Sequence, residues 1–168
     1  MYDIHSHVLP AIDDGAKSLD DAVELCRMAS LDGTKGIVAT PHIREGIWPN
    51  ERGRIATRLE ELREELRRKE VAIDVHLGAE VFFASGIVDA VQEGAFPTYA
   101  DGRRYVLLEL PTFFIPRQVQ GLVFEFRTAG ITPVLAHPER NTQLMGSLET
   151  IEDLVRMGTL LQLTAMSL

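Results

Sequence analysis

Apolar residues along the chain recur at helical spacing in four segments. Residues 19–31 place apolar side chains on one face behind a capping Ser18, and residues 54–70 carry one apolar stripe on an otherwise charged helix. Two further helices are predicted over residues 118–129 and 147–158, where glycines mark the helix ends. We expect these four helices to pack their apolar faces against one core.

Short apolar runs between these helices predict buried strands. One such run covers residues 37–40 and ends at Pro41, and a longer one is interpreted as a single strand over residues 71–81. The other predicted strands are the run before His5 and residues 105–110, 131–136 and 160–163. Strands that alternate with amphipathic helices are typical of parallel β/α folds with helices on the outside. The pattern therefore predicts one α/β domain with six parallel strands.

The charge balance excludes several functional classes. The chain has 25 acidic and 17 basic residues among 168, a formal net charge of −8, so nucleic acid is not expected as a partner. No apolar run approaches the roughly 20 residues of a membrane-spanning helix, and the N-terminus lacks an export signal, so membrane insertion is not expected. A single cysteine, Cys26, is typical of a reducing compartment, and we expect a cytoplasmic protein.

Histidines and carboxylates recur at or just after the ends of the predicted strands. In parallel β/α folds these ends share one rim, where active sites form. Alone, each residue is explained as well by a core histidine, a helix cap or a surface charge, but the set together predicts a metal site. The candidate metal ligands are His5, His7, Asp14, His42, Glu80, Glu109 and His137.

The ligand types indicate which metal and which reaction to expect. Imidazoles and carboxylates without thiolates suit Mn, Fe or Zn, and Glu80 and Glu109 can each bridge ions, so two or three ions are expected. Such a centre activates water and binds phosphoryl oxygens, which favours metal-assisted phosphoester hydrolysis. Arg140, three residues after His137, is the candidate that binds the phosphate; the alternative is a loop arginine that faces solvent or pairs with Glu139.

Two other kinds of phosphate chemistry lack support. A cysteine-dependent phosphatase needs an arginine six positions after its nucleophile, but that position after Cys26 is Asp32. Cys26 also lies on the apolar stripe of its predicted helix, which indicates a core residue. The sequence contains no P-loop motif, so a nucleotide site of that kind is not expected either.

The assembled motifs resemble the polymerase and histidinol phosphatase (PHP) superfamily. Within it, the chain is most similar to the manganese-dependent protein-tyrosine phosphatases encoded with bacterial capsule and exopolysaccharide genes. The resemblance runs over nearly the whole chain. It rests on residues 3–10 (DIHSHVLP), 12–16 (IDDGA), 39–42 (ATPH), 78–80 (GAE) and 136–140 (AHPER), of which the second and last are the more specific.

This resemblance implies a fold, a ligand scheme and a substrate. The fold would be a distorted TIM-like PHP β/α barrel, and the cofactor Mn²⁺. The substrate would be phosphotyrosine in the tail of a bacterial tyrosine autokinase that controls polysaccharide polymerisation and export. One metal would be held by His5, His7 and Glu80, a second by Glu80, Glu109 and His137, and a third by Asp14 and His42.

The chain departs from the family at its C-terminal end. The family scheme continues to a late Asp-x-His that completes the first and third metals, and residues 1–168 end before it. We therefore expect one PHP-type domain truncated before its last strands, with weak or absent hydrolysis and an exposed side that a homo-oligomer could cover. A small-molecule phosphoesterase similar to histidinol-phosphate phosphatases and a non-catalytic binding fragment remain alternatives.

Overall fold

Eight strands and six α-helices alternate along the chain in a computed structural model, which describes residues 1–167. The strands are β1 (Tyr2–Ser6), β2 (Gly36–Ala39), β3 (His42–Ile43), β4 (Asp74–Leu77), β5 (Glu80–Phe82), β6 (Tyr105–Glu109), β7 (Thr132–Ala136) and β8 (Leu160–Gln162). The helices are α1 (Leu19–Leu31), α2 (Arg52–Arg68), α3 (Ile87–Gln92), α4 (Val119–Thr128), α5 (Thr142–Met145) and α6 (Leu148–Arg156). Short 3₁₀-helices cover Tyr99–Asp101, Pro138–Arg140 and Ala165–Ser167.

The strands form two sheets in which every pair is parallel. One sheet has the order β1-β2-β4, and the other has the order β3-β5-β6-β7-β8. The predicted α/β fold with parallel strands and covering helices is therefore confirmed. Strand pairing within residues 1–167 leaves the two sheets separate, so closure into a distorted barrel stays a prediction.

Local signals explain the helix that was predicted most accurately. The Ser18 hydroxyl accepts a hydrogen bond from the Asp21 N–H at 3.1 Å, which caps the first turn of α1. Gly33, just beyond the helix, has a φ of +91°, a conformation that favours glycine and ends the helix. The buried face of α1 consists of Ala22, Val23 and Cys26.

The single strand expected over residues 71–81 is wrong, because the chain changes sheets within it. β4 belongs to the three-stranded sheet and β5 to the five-stranded sheet, with Gly78 between them. A Cβ atom on Gly78 would come within 2.7 Å of Val38 Cγ1 and 3.0 Å of the Ala39 carbonyl oxygen. This close approach requires glycine, and the chain turns there.

The chain also changes sheets between β2 and β3. Pro41 ends β2 as predicted, but residues 42–43 form a further strand, β3, which was not predicted. His42 pairs directly with Glu80 across β3 and β5, so both residues begin their strands rather than follow them. The short helices α3 and α5 were also not predicted. The sheet division thus places an imidazole and a carboxylate side by side.

The helices pack onto the sheets through their apolar stripes. In α2 the stripe is fully buried and consists of Ile55, Leu59, Leu62 and Leu66. The larger core cluster joins this stripe to residues of both sheets, including Ile37 and Leu108. None of the helices within residues 1–167 has the length and apolar content needed to cross a lipid bilayer.

Candidate metal centre

One open cavity of about 890 Å³ contains all of the predicted site residues. The side chains come from both sheets and from the loops that follow their strands. Eight residues that are separate in the sequence therefore share one opening. The predicted residues that line it are His5, His7, Asp14, His42, Glu80, Glu109, His137 and Arg140.

The carboxylate of Glu80 lies at the centre of the site and is completely buried. Its Oε2 atom is 3.2 Å from Nε2 of His5 and 3.3 Å from Nε2 of His7. The same oxygen is 3.1 Å from Nδ1 of His42. Its Oε1 atom is 2.8 Å from Nε2 of His137. One carboxylate thus contacts four imidazoles.

Two further carboxylates extend the cluster on either side of His42. Oε2 of Glu109 is 3.4 Å from Nδ1 of His42, and Oδ1 of Asp14 is 3.7 Å from its Nε2. Asp14 Oδ1 is also 3.8 Å from Nδ1 of His7. Three trios bring their ligand atoms within 4.8 Å of one another, namely His5–His7–Glu80, His7–Asp14–His42 and His42–Glu80–Glu109.

These trios overlap with the ligand scheme that the resemblance implies but are not identical to it. The first trio has the three expected members, and the second adds His7 to the expected Asp14 and His42. In the third trio His42, rather than His137, accompanies the two glutamates. His137 instead contacts the other carboxylate oxygen of Glu80.

Several buried ligand atoms have no hydrogen-bond partner among the described residues. These are Oε2 of Glu80, Oε2 of Glu109 and Nδ1 of His42. A buried polar atom without a partner is costly, and such atoms rarely persist in folded proteins without an ion or water. Two carboxylate oxygens and an imidazole nitrogen are suitable donors for Mn, Fe or Zn, so the residues fit a bound cation.

The histidines and carboxylates shift one another's protonation. Burial favours the neutral form of Glu80, but three neighbouring histidines, with His137 contributing most, lower the pKa of its carboxyl group. Burial disfavours a charged His7, yet the neighbouring carboxylates of Asp13 and Glu80 raise the pKa of its imidazole to about 10. Burial also opposes charge on His137, whose pKa is raised by Glu80. A bound cation would replace these protons.

Asp13 is a functional candidate that the sequence reasoning missed. Its fully buried carboxylate lies 2.8 Å from Nδ1 of His7 and accepts the backbone N–H groups of His42 and Gly15. Burial raises the pKa of Asp13, but the contact with His7 and the backbone hydrogen bonds from Gly15 and His42 together outweigh this effect, and the net pKa is lowered. The carboxylate holds Nδ1 of His7 and leaves Nε2 facing Glu80. From the Asp-Asp-Gly motif, the sequence predicts only Asp14 as a metal ligand.

Trp48 forms one wall of the cavity. Its ring stacks on the imidazole of His42, with centroids 4.5 Å apart and planes 9° from parallel. The loop is held by Asn50, whose Nδ2 donates to the carbonyl oxygens of His42 and Ile12. The ring therefore restricts the orientation of a candidate ligand.

Arg140 lies at the exposed edge of the same cavity. The turn that carries it begins at His137, whose φ of +31° is in the left-handed region, uncommon for a residue with a side chain. The alternative partner, Glu139, instead accepts the N–H of Thr164 at 3.0 Å. His76, which the sequence analysis did not select, lies on β4 outside this cavity.

Comparison with known proteins adds independent information. A family model described as capsular polysaccharide synthesis, CpsB/CapC, matches residues 1–168. CapC of Staphylococcus aureus is 33% identical and the tyrosine-protein phosphatase YwqE of Bacillus subtilis 32% identical over 168 residues. The tyrosine-protein phosphatase CpsB of Streptococcus pneumoniae is 32% identical over 167 residues.

These matches cover nearly all of this chain but only part of each related protein. All of this chain matches CapC and YwqE, but it spans only 66% of the length of each, and its match to CpsB covers 68% of that protein. A solved structure described as YwqE and CpsB, unique metal-dependent tyrosine phosphatases, superposes with a TM-score of 0.93 at 31% identity. That superposition covers 97% of this chain and 66% of the solved one.

Proposed function

This chain belongs to the CpsB/CapC family, and on that premise we propose that it hydrolyses phosphotyrosine with two or three bound metal ions. The observation that carries the proposal is the buried carboxylate of Glu80, which faces four imidazoles and keeps one oxygen without a hydrogen-bond partner. The names of the related phosphatases support the same reaction. The chain spans less than two thirds of the length of YwqE, so its own hydrolytic activity is to be measured directly.

The trios of ligand atoms suggest how the ions would be held. His5 and His7 would bind one ion with Glu80, and the buried glutamate pair would bind a second with an adjacent imidazole. Asp14 would bind a third ion together with His42. We propose Mn²⁺ as the ion, with Fe or Zn as alternatives suited to the same ligands. When bound, such ions lower the pKa of coordinated water and neutralise phosphate charge.

The chain's own residues would position the substrate. Arg140 would bind non-bridging phosphate oxygens through its guanidinium, whose paired N–H groups suit a phosphate. The exposed position of Arg140 at the cavity edge allows this approach. The phenolate of phosphotyrosine has a pKa near 10. It therefore leaves with less protonation than an alkoxide would need.

The biological substrate we propose is the phosphotyrosine-bearing tail of a bacterial tyrosine autokinase in polysaccharide synthesis. The capsular polysaccharide description of the family supports this assignment. Such a tail would meet the enzyme in the cytoplasm, the location expected from the single cysteine.

The proposal is tested by phosphate release from a phosphotyrosine peptide with Mn²⁺ or EDTA. We expect Mn²⁺-dependent release that is lost in Glu80→Gln and kept in the control Glu152→Gln, because Glu152 lies on α6 and pairs with Arg156. A phosphoserine peptide and histidinol phosphate serve as competing substrates. A preference for histidinol phosphate would favour the small-molecule phosphoesterase, and binding of Mn²⁺ without any hydrolysis would favour the non-catalytic alternative.

A further inference from the structure

Gln162, the last residue of β8, contacts two of the candidate metal ligands at once. Its side-chain Oε1 lies 2.6 Å from Nδ1 of His5 and accepts the backbone N–H of His137 at 3.4 Å. Gln162 is separated from His5 by 157 positions in the sequence. The metal-ligand trios themselves contain only histidines and carboxylates.

The orientation of the Gln162 amide follows from its other contact. Its Nε2 donates to the carbonyl oxygen of Leu163 at 2.8 Å, and a carbonyl can only accept. The amide oxygen therefore faces His5. Because that oxygen is also only an acceptor, Nδ1 of His5 must carry the proton of this hydrogen bond. The remaining ring nitrogen, Nε2, is the one that faces Glu80 Oε2 at 3.2 Å.

The same side chain connects the two sheets. β1, which carries His5, is an edge strand of the three-stranded sheet, and β8 is an edge strand of the five-stranded sheet. Among the described residues these two strands do not pair through their backbones. The hydrogen bond from His5 to Gln162 therefore crosses the division between the sheets at the level of the metal centre.

Gln162 also contacts the strained end of β7. His137 has a φ of +31°, and such a conformation persists only when surrounding contacts hold it. Its backbone N–H is directed at Gln162 Oε1. One amide oxygen thus contacts the ring of one candidate ligand and the backbone of another.

We propose that Gln162 is a positioning residue of the metal centre, which fixes the ring of His5 and the backbone of His137 so that both Nε2 atoms face Glu80. The proposal rests on the metal-dependent function proposed above. Metal-ligating histidines commonly donate their second ring N–H to an oxygen, and loss of that partner typically weakens metal binding by about 10–100-fold. Asp13 has the corresponding place beside His7.

The test compares three variants with the unmodified chain. Gln162→Leu removes the acceptor at similar size, and Gln162→Glu retains an oxygen that can accept from His5. Gln143→Leu is the matched control, because Gln143 Oε1 accepts the Ile115 N–H at 2.8 Å and lies outside the cavity lining. Mn²⁺ affinity is measured by calorimetric titration. The Nδ1–H proton of His5 is observed by NMR in the metal-free chain.

We expect Gln162→Leu to bind Mn²⁺ about 10–100-fold more weakly and to lose the hydrogen-bonded Nδ1–H signal of His5. Gln162→Glu should retain the signal and most of the affinity, and Gln143→Leu should match the unmodified chain in both measurements. Unchanged Mn²⁺ affinity in Gln162→Leu, or a His5 ring without a hydrogen-bonded Nδ1–H in the unmodified chain, would overturn the proposal.

Two further measurements distinguish an unfolded variant and an absent metal centre from a wrong assignment of Gln162. If Gln162→Leu does not fold, as judged from its circular dichroism in EDTA, the His5 signal in the unmodified chain and in Gln162→Glu decides the question. If the unmodified chain binds no Mn²⁺, the proposed metal-dependent function fails and the positioning role fails with it. An intact centre with a dispensable Gln162 would instead contradict only this inference.

Discussion

Glu80 Oε2 and His42 Nδ1 lie 3.1 Å apart at the start of two paired strands, and neither atom has a hydrogen-bond partner within the described residues. Both side chains reach this position because β3 and β5 begin where the chain crosses from one sheet to the other. Each of these two buried atoms can bind a metal ion, and their lack of hydrogen-bond partners is the feature that most directly indicates a cation. Binding of that cation should therefore stabilise the fold.

The first prediction concerns this stabilisation. Addition of Mn²⁺ should raise the thermal unfolding midpoint, because a ligand that binds only the folded state stabilises it by about 2.7 kcal/mol at 100 times its dissociation constant. Differential scanning calorimetry with Mn²⁺ and with EDTA measures the difference. Glu80→Gln should lose most of the shift, whereas the exposed Glu152→Gln should keep it. An equal shift in both variants would locate the stabilising cation elsewhere.

The second prediction concerns Gly15, which packs against the backbone of His7. A Cβ atom at Gly15 would overlap the His7 carbonyl oxygen and would lie 2.6 Å from the Cβ of His7. That carbonyl accepts the Ala16 N–H at 3.1 Å, so it cannot move without disturbing the loop. Gly15→Ala should therefore cost about 1–3 kcal/mol of unfolding free energy and weaken Mn²⁺ binding.

Gly121→Ala provides the control for this substitution. Gly121 lies within α4, where an added Cβ meets no atom within 4 Å. Replacing glycine by alanine in an open helical position stabilises by up to about 1 kcal/mol. Urea denaturation of both variants gives the comparison. A Gly15→Ala protein as stable as Gly121→Ala and with normal Mn²⁺ affinity would show that the loop adapts without displacing His7.

The third prediction uses Trp48, the single tryptophan of the sequence. Its ring stacks on His42 at 4.5 Å, so Mn²⁺ bound at His42 should quench its fluorescence. The quenching should saturate with the same dissociation constant as calorimetry gives. His42→Ala should abolish it, and His76→Ala, outside the cavity, should leave it unchanged. Full quenching in His42→Ala would show that the quenching ion is not bound at His42.

The sequence predicts the ends of a helix or strand correctly where they are set by neighbouring residues, and not where they depend on contacts with distant residues. The ends of α1 were correct because Ser18 and Gly33 act through neighbouring backbone. The break between β4 and β5 was missed because it depends on Gly78 approaching Val38, a contact made only in the folded state. The residue types of a strand do not reveal a change of sheet.

The same distinction applies to the site. All eight selected side chains line one cavity, because parallel strands bring imidazoles and carboxylates to a common edge. Asp13 and Gln162 were missed, since an aspartate beside another and a glutamine in an apolar run carry no chemical signal of their own. Their importance lies in which ring nitrogen each contacts, His7 Nδ1 and His5 Nδ1. Only the three-dimensional arrangement identifies such partners.

The fourth prediction concerns Cys26. Burial raises the pKa of its thiol to about 12, so the group stays protonated and unreactive at pH values near 8. The folded chain should therefore react with a thiol reagent only after denaturant is added. Cys26→Ala should retain Mn²⁺ binding and any phosphatase activity. Rapid modification of the folded protein, with loss of activity, would instead indicate a cysteine-dependent mechanism.

The fifth prediction concerns Arg140 and separates phosphate binding from metal binding. Arg140 lines the cavity, but its cationic guanidinium has no lone pair to offer a metal ion, so Arg140→Ala should leave Mn²⁺ affinity unchanged. Loss of one group that stabilises developing charge commonly lowers turnover by about 10²–10³-fold, and we expect phosphotyrosine hydrolysis to fall by this order. Weaker binding of inorganic phosphate in the presence of Mn²⁺ gives a second measurement that is independent of turnover.

Two control variants, Arg140→Lys and Arg156→Ala, are compared with Arg140→Ala. The lysine variant keeps the charge but lacks the paired N–H groups, so it should recover only part of the phosphate affinity. Arg156 lies on α6, where it pairs with Glu152 and Asp153, and its loss removes one positive charge away from the cavity. Because Arg156→Ala should bind phosphate normally, a deficit specific to Arg140→Ala reflects local contact rather than net charge. Undiminished phosphate binding and turnover in Arg140→Ala would remove this residue from the mechanism and leave phosphate recognition to the bound ions.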